Sequence, residues 1–450
     1  MGKTRNIRDP IYKDIYVSSH DENLLQILDS PPIQRLRRIR QLGFAYLMSP
    51  NANHTRFEHV LGTYHLVSSL DQRILENAEE AKQYAILHHI LETPFSYATT
   101  DVTNALWEQE KINKSQFLEE LLKMCGFDCK DTSSIAEGIL DKYRKPKWNN
   151  SNKLNRGFVS SHPFNASRVD SLLRDAFYCG LHRGIYLPHL YKNIKYHADE
   201  FCYLEFDRVN YSLLLGLEDM LSFIASAIIY HPARRYKNRI GARILYESFL
   251  QKIIDIEYIK EPERFLFFDD NILIEIERQV KKDNNGPMLQ LVGLLHSLEP
   301  PQPPFHWSYN DCSPEEISQL FKKFSDYKWV YNLETAIEEI LDNGCKFFLD
   351  FPYYSVNTYE SIASIPISVW EKGTTGEKVI LFSARPSSDN VEFKGFRMKQ
   401  DSSKNSNITE VMKRLNLIEP QLYCTKNLDQ DELTNVITKL KEGLTSGVNA

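Results

Sequence analysis

The run SLEPPQPPFHWSYNDCS, residues 297–313, constrains the fold more than any other stretch of this chain. It holds four of the chain's twenty prolines. A segment so dense in proline cannot be α-helix, because each ring removes an amide donor and clashes with the preceding turn. The two sides of this break differ in texture. Before it, residues 20–300 read as nearly continuous helix, with apolar residues at helical spacing over 58–80, 82–92, 115–125, 164–181, 210–230 and 238–256. The stretch NLLQILDSPPIQRLRRIRQLG shows the punctuation, with a Pro pair opening a new helix and Gly43 closing it. After the break, CKFFLDFPYYSV and ASIPISVWEKGTTGEKVILFSAR are rich in β-branched and aromatic residues, and the second folds back at Gly373–Gly376 as a hairpin. An amphipathic helix over 430–444 closes the chain. The expected fold is mostly α: a helical domain over 1–300, a Pro-rich linker at 301–313 and a smaller C-terminal α+β lobe over 314–450. Residues 143–163, polar and turn-rich, read as a mobile surface insertion.

Charge and composition narrow the function classes. The net charge is −6, so there is no global basic field to favour nucleic acid or an anionic membrane. No window of about 18 apolar residues is present to span a bilayer. The N-terminus MGKTRNIRDPIY lacks the apolar segment of a secretory signal, and Asn6 stands where a myristoylation signal carries Ser or Thr. The seven cysteines are dispersed, as expected of reduced thiols. These features together predict a cytoplasmic protein with no membrane anchor.

Three stretches carry chemistry. In RLRRIRQLGFAYLMSPNANHTRFEHVLGTYHL, residues 35–66, an arginine stands three residues before a histidine, so Arg56 and His59 share a helix face, a phosphate binder beside a metal ligand. In YAILHHILETPFSY, residues 84–97, two adjacent histidines sit in an apolar run. On a helix they point about 100° apart, and either can share a face with Glu92. His59, His88, His89 and Glu92 could therefore assemble a divalent-metal site. In HPFNASRVDSLLRDAFYCGL, residues 162–181, Arg168, Asp170, Arg174 and Asp175 lie on an otherwise apolar helix, where paired surface charges are the alternative reading.

Taken together and in this order, the three stretches resemble the HD-domain phosphohydrolases, and within them the deoxynucleoside triphosphate triphosphohydrolases (dGTPase-like). The family's opening pattern, Gln-Leu-Gly and then His-x-Arg-Phe-Glu-His-x-Leu-Gly, is matched by Gln41-Leu42-Gly43 and by residues 54–62. Its second, His-Asp-x-Gly-His-x-Pro-Phe-Ser-His, is matched by residues 88–97. Its third, Asp-x-Asp-Arg-x-Asp-Tyr-x-x-Arg-Asp, is matched by residues 165–175, with Arg174-Asp175 fixing the alignment. A weaker likeness continues through YHPARRYKNRIGARI at 230–244 and PQLYCTKNLDQDEL at 420–433. The resemblance implies an HD-domain helical bundle, a divalent metal (zinc, manganese, iron or magnesium), a deoxynucleotide ligand, and a homo-oligomer between dimer and hexamer, with a partner protein also conceivable.

The chain also departs from that family. The metal positions fall on His59, His88, His89 and Ser167, so the defining aspartate has become histidine and the last has become serine, a poor ligand for a hard cation. The family's site histidines fall on Glu92 and Tyr97, and a pocket tyrosine on Ser171. Glu92 and Asp170 remain as candidate catalytic carboxylates. The recognition positions are better kept. The resemblance assigns Gln41 and Leu42 to the sugar, Arg56 and Arg168 to phosphates, Asp175 to the substrate pocket, Tyr236 to the base, and Arg239 to an allosteric nucleotide. The expectation is a nucleotide-binding protein with the usual metal-dependent hydrolysis lost or altered, a sensor or regulatory pseudoenzyme. The alternative is an active hydrolase on a rebuilt His/His/His/Glu metal site.

Overall fold

The computed structural model describes residues 4–17, 22–69, 77–127, 133–143, 165–181, 231–297, 326–341, 344–350, 421–426 and 428–445, with shorter stretches between them. Most of the expected 143–163 insertion, the 301–313 linker apart from Phe305–His306, the Gly373–Gly376 turn and most of 210–230 lie outside the described residues.

A two-stranded antiparallel hairpin, β1 (Arg5–Asp9) and β2 (Lys13–Val17), precedes the helices. Helices α1 (Glu22–Asp29) and α2 (Pro31–Arg35) follow, α2 with proline in its first turn, where no amide donor is needed. Then come α3 (Arg56–Ser68), α4 (Ala78–Leu87), α5 (Thr100–Gln109), α6 (Lys114–Met124), α7 (Ser133–Tyr143) and α8 (Ala166–Tyr178). The long α9 (Pro232–Leu250) precedes α10 (Ile272–Lys282) and α11 (Gly286–His296). Helix α3 packs against both α4 and α8, with Val60, Ala85, Leu87 and Ile90 fully buried, and this core carries the site.

The fold is mostly α with a smaller α+β part, as the sequence predicts. One region read as helical is not. Residues Ile194–His197 (β3) and Phe201–Glu205 (β4) form an antiparallel pair, and β4 runs parallel to β7 (Ser364–Trp370), which pairs with β8 (Glu377–Ser383). Their sequence, IKYH and FCYLE, is rich in β-branched and aromatic residues, and this local preference matches the sheet. The β7–β8 register, Trp370 opposite Glu377, agrees with the expected hairpin. A second sheet sets β9 (Gln421–Cys424) between β5 (Phe305–His306) and β6 (Phe347–Asp350). Helix α12 (Tyr327–Leu341) packs on β6, and α13 (Gln430–Thr445) packs on α12, over a separate small core of Val330, Ile337, Leu349 and Leu440.

The C-terminal part meets the helical part along α9. Arg235, Arg239 and Arg243, one turn apart on a single face, pair with Asp350, Glu334 and Glu338. Such buried pairs fix orientation more than they stabilise, because desolvation offsets most of the attraction. Arg239, expected to reach an allosteric nucleotide, is thus engaged: its guanidinium donates to Glu334 at 3.3 Å and lies over the Tyr327 ring.

Candidate metal centre

Helix α3 begins with a capping box. Thr55 Oγ1 accepts from the Glu58 amide, and the Glu58 carboxylate accepts from the Thr55 amide at 2.6 Å. The cap places Arg56 in the first turn and His59 one turn later on the same face. Helix α4 supplies the adjacent histidines, but not as a helix. It ends at Leu87, His88 is its C-cap, and residues 89–92 turn tightly, Ile90 N donating to Leu87 O and Glu92 N to His89 O. The expected helix over 82–92 is therefore too long by one turn. That ending removes the 100° divergence, and the His88 and His89 rings stand 4.3 Å apart, with His59 5.5 and 5.0 Å from them.

His59, His88 and His89 each offer a ring nitrogen within 4.8 Å of the other two, and all three are buried. Their opposite nitrogens are anchored. His59 Nδ1 meets Asp170 Oδ2 at 2.7 Å, His88 Nδ1 meets the Ala85 carbonyl at 2.8 Å, and His89 Nδ1 meets the Glu92 carboxylate. Each partner is an acceptor, so each Nδ1 carries the proton and each Nε2 presents a lone pair. Ser167 Oγ lies 3.1 Å from His59 Nε2 and 3.2 Å from His88 Nε2. One hydroxyl has one hydrogen to donate, so it satisfies one of those two lone pairs. The donor set suits a borderline-soft cation such as zinc better than magnesium.

Both carboxylates expected near the cation stand one shell behind it. Glu92 is behind His89 and also pairs with Arg56 Nε at 3.4 Å, so the four-ligand His/His/His/Glu set contracts to three histidines. Asp170, fully buried, grips His59 and accepts from Tyr12 Oη at 2.9 Å and from Arg174 Nε and Nη2 at 3.1 and 3.0 Å. Arg174 continues to Asp9 at 2.9 Å, tying the N-terminal hairpin to the back of the centre. Burial pushes the Asp170 carboxyl up, but Arg174 and His59 outweigh it and leave the group below its ordinary value. Burial lowers His59 despite Asp170, favouring the neutral ring a metal requires. Gly62 makes room for this network: a Cβ there would lie 1.8 Å from Asp170 Oδ1.

Arg56 borders the centre. Its Nε donates to Ser96 Oγ at 2.9 Å and its Nη1 lies 3.4 Å from His89 Nε2. Ser96 follows Phe95 in the left-handed region, with φ of 55° and 56°, a conformation costly for side-chain-bearing residues. The Phe95 amide donates to Asp270 Oδ1 at 2.6 Å, which holds that turn. Half-buried Arg168 adds a second cation beside Ser167, and burial pushes its guanidinium down to about 10.

Ser167, Ser171 and Asp175 recur every four residues and line one face of α8, a path of about 12 Å along the axis. At its far end Gln41 Nε2 donates to Asp175 Oδ1 at 2.8 Å, beside His54 Nε2 at 2.7 Å from the same oxygen. Gln41 and Leu42 are both buried. Tyr236 stands apart from this face, with its ring 5.5 Å from Phe348 and 5.4 Å from Tyr423. The sequence reading missed the supporting residues Tyr12, His54 and Ser96. His54 lies within a quoted motif, whereas Tyr12 carried no local signal.

No family model matches the chain. It is 31% identical to an uncharacterized protein of Methanocaldococcus jannaschii over 288 residues, 60% of this chain and 56% of that one. It is 23% identical to a deoxynucleoside triphosphate triphosphohydrolase SAMHD1 homolog of Dictyostelium discoideum over 303 residues, 60% of this chain and 54% of that one. The chain thus spans a little over half the length of these curated relatives. A hypothetical protein from Aquifex aeolicus, solved by crystallography, shares the fold with a TM-score of 0.56 and 21% identity, covering 97% of this chain and 100% of that one. The similarities support the HD-domain superfamily at most, and they do not carry the dGTPase-like grouping. A divalent metal and a nucleotide ligand are both compatible with them. Among the described residues no helix is long and apolar enough to cross a membrane.

Proposed function

We propose that this protein binds deoxynucleoside triphosphates along the Ser167–Asp175 face of α8, beside a divalent transition metal held by His59, His88 and His89, and hydrolyses them poorly or not at all. The observation that carries the metal is the anchoring of all three Nδ1 atoms on acceptors, the arrangement that metal-binding histidines adopt. When bound, the metal supplies positive charge for a phosphate oxygen and lowers the pKa of a bound water. Arg56 and Arg168 add cationic donors for phosphate, and Gln41, Leu42 and Asp175 the polar corner for a sugar. Tyr236 lies on α9 against the C-terminal lobe, where it would line the base pocket.

Slow turnover follows from a missing acid. Glu92 is engaged by His89 and Arg56, and Tyr97, 43% exposed, has its ring under the Arg234 guanidinium. Loss of a positioned proton donor costs typically 10²–10⁴-fold in rate. A second reading, an active hydrolase on the three-histidine centre, draws support from the same anchors, since three oriented ligands are more than a vestigial site needs. A homo-oligomer, a cytoplasmic location and two separate domains divided near 301–313 belong to the same proposal.

The deciding experiment combines elemental analysis, dNTP-induced thermal shift and phosphate release. Expected are one equivalent of transition metal lost in His88→Ala and His89→Ala, and stabilisation by dNTPs lost in Arg56→Ala, without product. Phosphate release abolished by His59→Ala selects the hydrolase. Absence of both metal and nucleotide-induced stabilisation removes both readings.

A further inference from the structure

One cationic side chain already reaches into the histidine cluster. Arg56 is buried, and its Nη1 lies within hydrogen-bond distance of His89 Nε2, at 3.4 Å. His89 Nδ1 faces the Glu92 carboxylate and carries the ring's hydrogen, so Nε2 accepts and Arg56 donates. With Nδ1 protonated, Nε2 is also the one nitrogen with which His89 can join His59 and His88 in holding an ion. A single lone pair cannot serve a hydrogen bond and a coordinate bond together. Arg56 and a cation therefore exclude each other at His89.

The rest of the guanidinium is held independently of that contact. Arg56 Nε donates to Ser96 Oγ at 2.9 Å and lies 3.4 Å from Glu92 Oε2, while the Ser96 hydroxyl gives its own hydrogen to the Arg40 carbonyl at 2.6 Å. Nη2 makes no hydrogen bond among the described residues. Leaving His89 thus costs Arg56 one long bond and keeps its Nε anchors in place. Nη1 then joins Nη2 as a charged donor for an anion.

We propose that Arg56 gates the metal centre: it occupies the His89 lone pair that a cation needs, and the guanidinium edge released when a cation takes that lone pair is the edge a phosphate meets. Arg56 opposes the cation and serves the anion. Because linked equilibria are reciprocal, an anion that draws Arg56 away also opens His89 to the metal.

The inference rests on the metal-binding reading above, and its test separates the two. Zinc affinity of the full chain is measured without nucleotide, by competition with a chromophoric chelator, for the wild-type protein, Arg56→Lys and Arg56→Gln. Lysine keeps the positive charge, but its ammonium stops one bond short of Nη1. Glutamine loses both the charge and the reach. Both variants are expected to bind zinc about tenfold more tightly than the wild type, the worth of one hydrogen bond. Zinc bound no more tightly by either variant overturns the inference and leaves the metal reading standing. So does tighter binding in Arg56→Gln alone, which charge repulsion produces without any contact to His89. Failure of all three proteins to bind zinc overturns both.

Discussion

The two ends of the α8 face differ in how their polar groups are used. At the Ser167 end the carboxylates have withdrawn from the cation position and support histidines from behind, Asp170 on His59 and Glu92 on His89. At the Asp175 end no histidine stands in front of the carboxylate, whose Oδ1 takes both Gln41 Nε2 and His54 Nε2. A cation held there would set the charge at the first end, because three neutral imidazoles would leave its full positive charge to a bound anion. The second end is built from hydrogen-bonding groups alone. On the proposed reading, one end of the helix would take phosphate and the other a sugar, and the two can be damaged separately.

The largest expected effect breaks the first end alone. His88→Ala should abolish stoichiometric metal, read by elemental analysis, because two imidazoles hold a transition ion far more weakly than three. Arg56→Ala should reduce nucleotide affinity by about ten- to hundredfold, the worth of one charge-assisted contact of 1.5–3 kcal/mol, and calorimetry reads it directly. Gly62→Ala tests whether the Asp170 support is as rigid as its packing implies. A methyl 1.8 Å from Asp170 Oδ1 must displace a buried ion pair, costing about 3–5 kcal/mol in a urea titration. A weaker effect is expected from pH. Folded-state His59 sits below its ordinary value because burial disfavours the charged ring, so the unfolded chain binds its proton first. Its stabilising contribution is complete above about pH 6.5 and fades as pH falls below it, with Asp170 adding a further loss below about 3.9. The urea midpoint of the metal-free protein should fall from pH 7 to 5, and less steeply in His59→Gln.

Legibility in sequence followed the range of the interactions. Helices α6 and α8 could be read because their apolar spacing is local. The helix expected to run from the Pro pair to Gly43 instead ends at Arg35, and Gly43, with φ of 60°, opens a short 3-10 turn over Gly43–Leu47; the helix expected over 58–80 stops at Ser68. The break in α4 was hidden, because apolar Ile90 and Leu91 continue the helical rhythm past it. Its cause is distant: the buried Arg35 guanidinium takes the Ile90 and Glu92 carbonyls at 3.1 and 2.6 Å, which holds the tight turns open to it. The roles of Asp170 and Glu92 were obscured for the same reason. Spacing brings a carboxylate near a histidine, but only the ring's orientation decides which side of it the carboxylate occupies. The β3–β4 pair carried a local β preference in IKYH and FCYLE that the helical reading of 20–300 passed over; only the pairing of β4 with β7, about 160 residues on, lay beyond local pattern.

Gly62 has a consequence for how this site can change over evolutionary time. With no room for even a methyl beside Asp170 and Arg174, positions 62 and 170 are expected to change together. A homologous chain that discards the carboxylate is released to carry a side chain at 62, and one that keeps it is not. Covariation between these two positions would then distinguish descendants that retain the supported histidine from those in which the centre has lapsed, without a single measurement of metal.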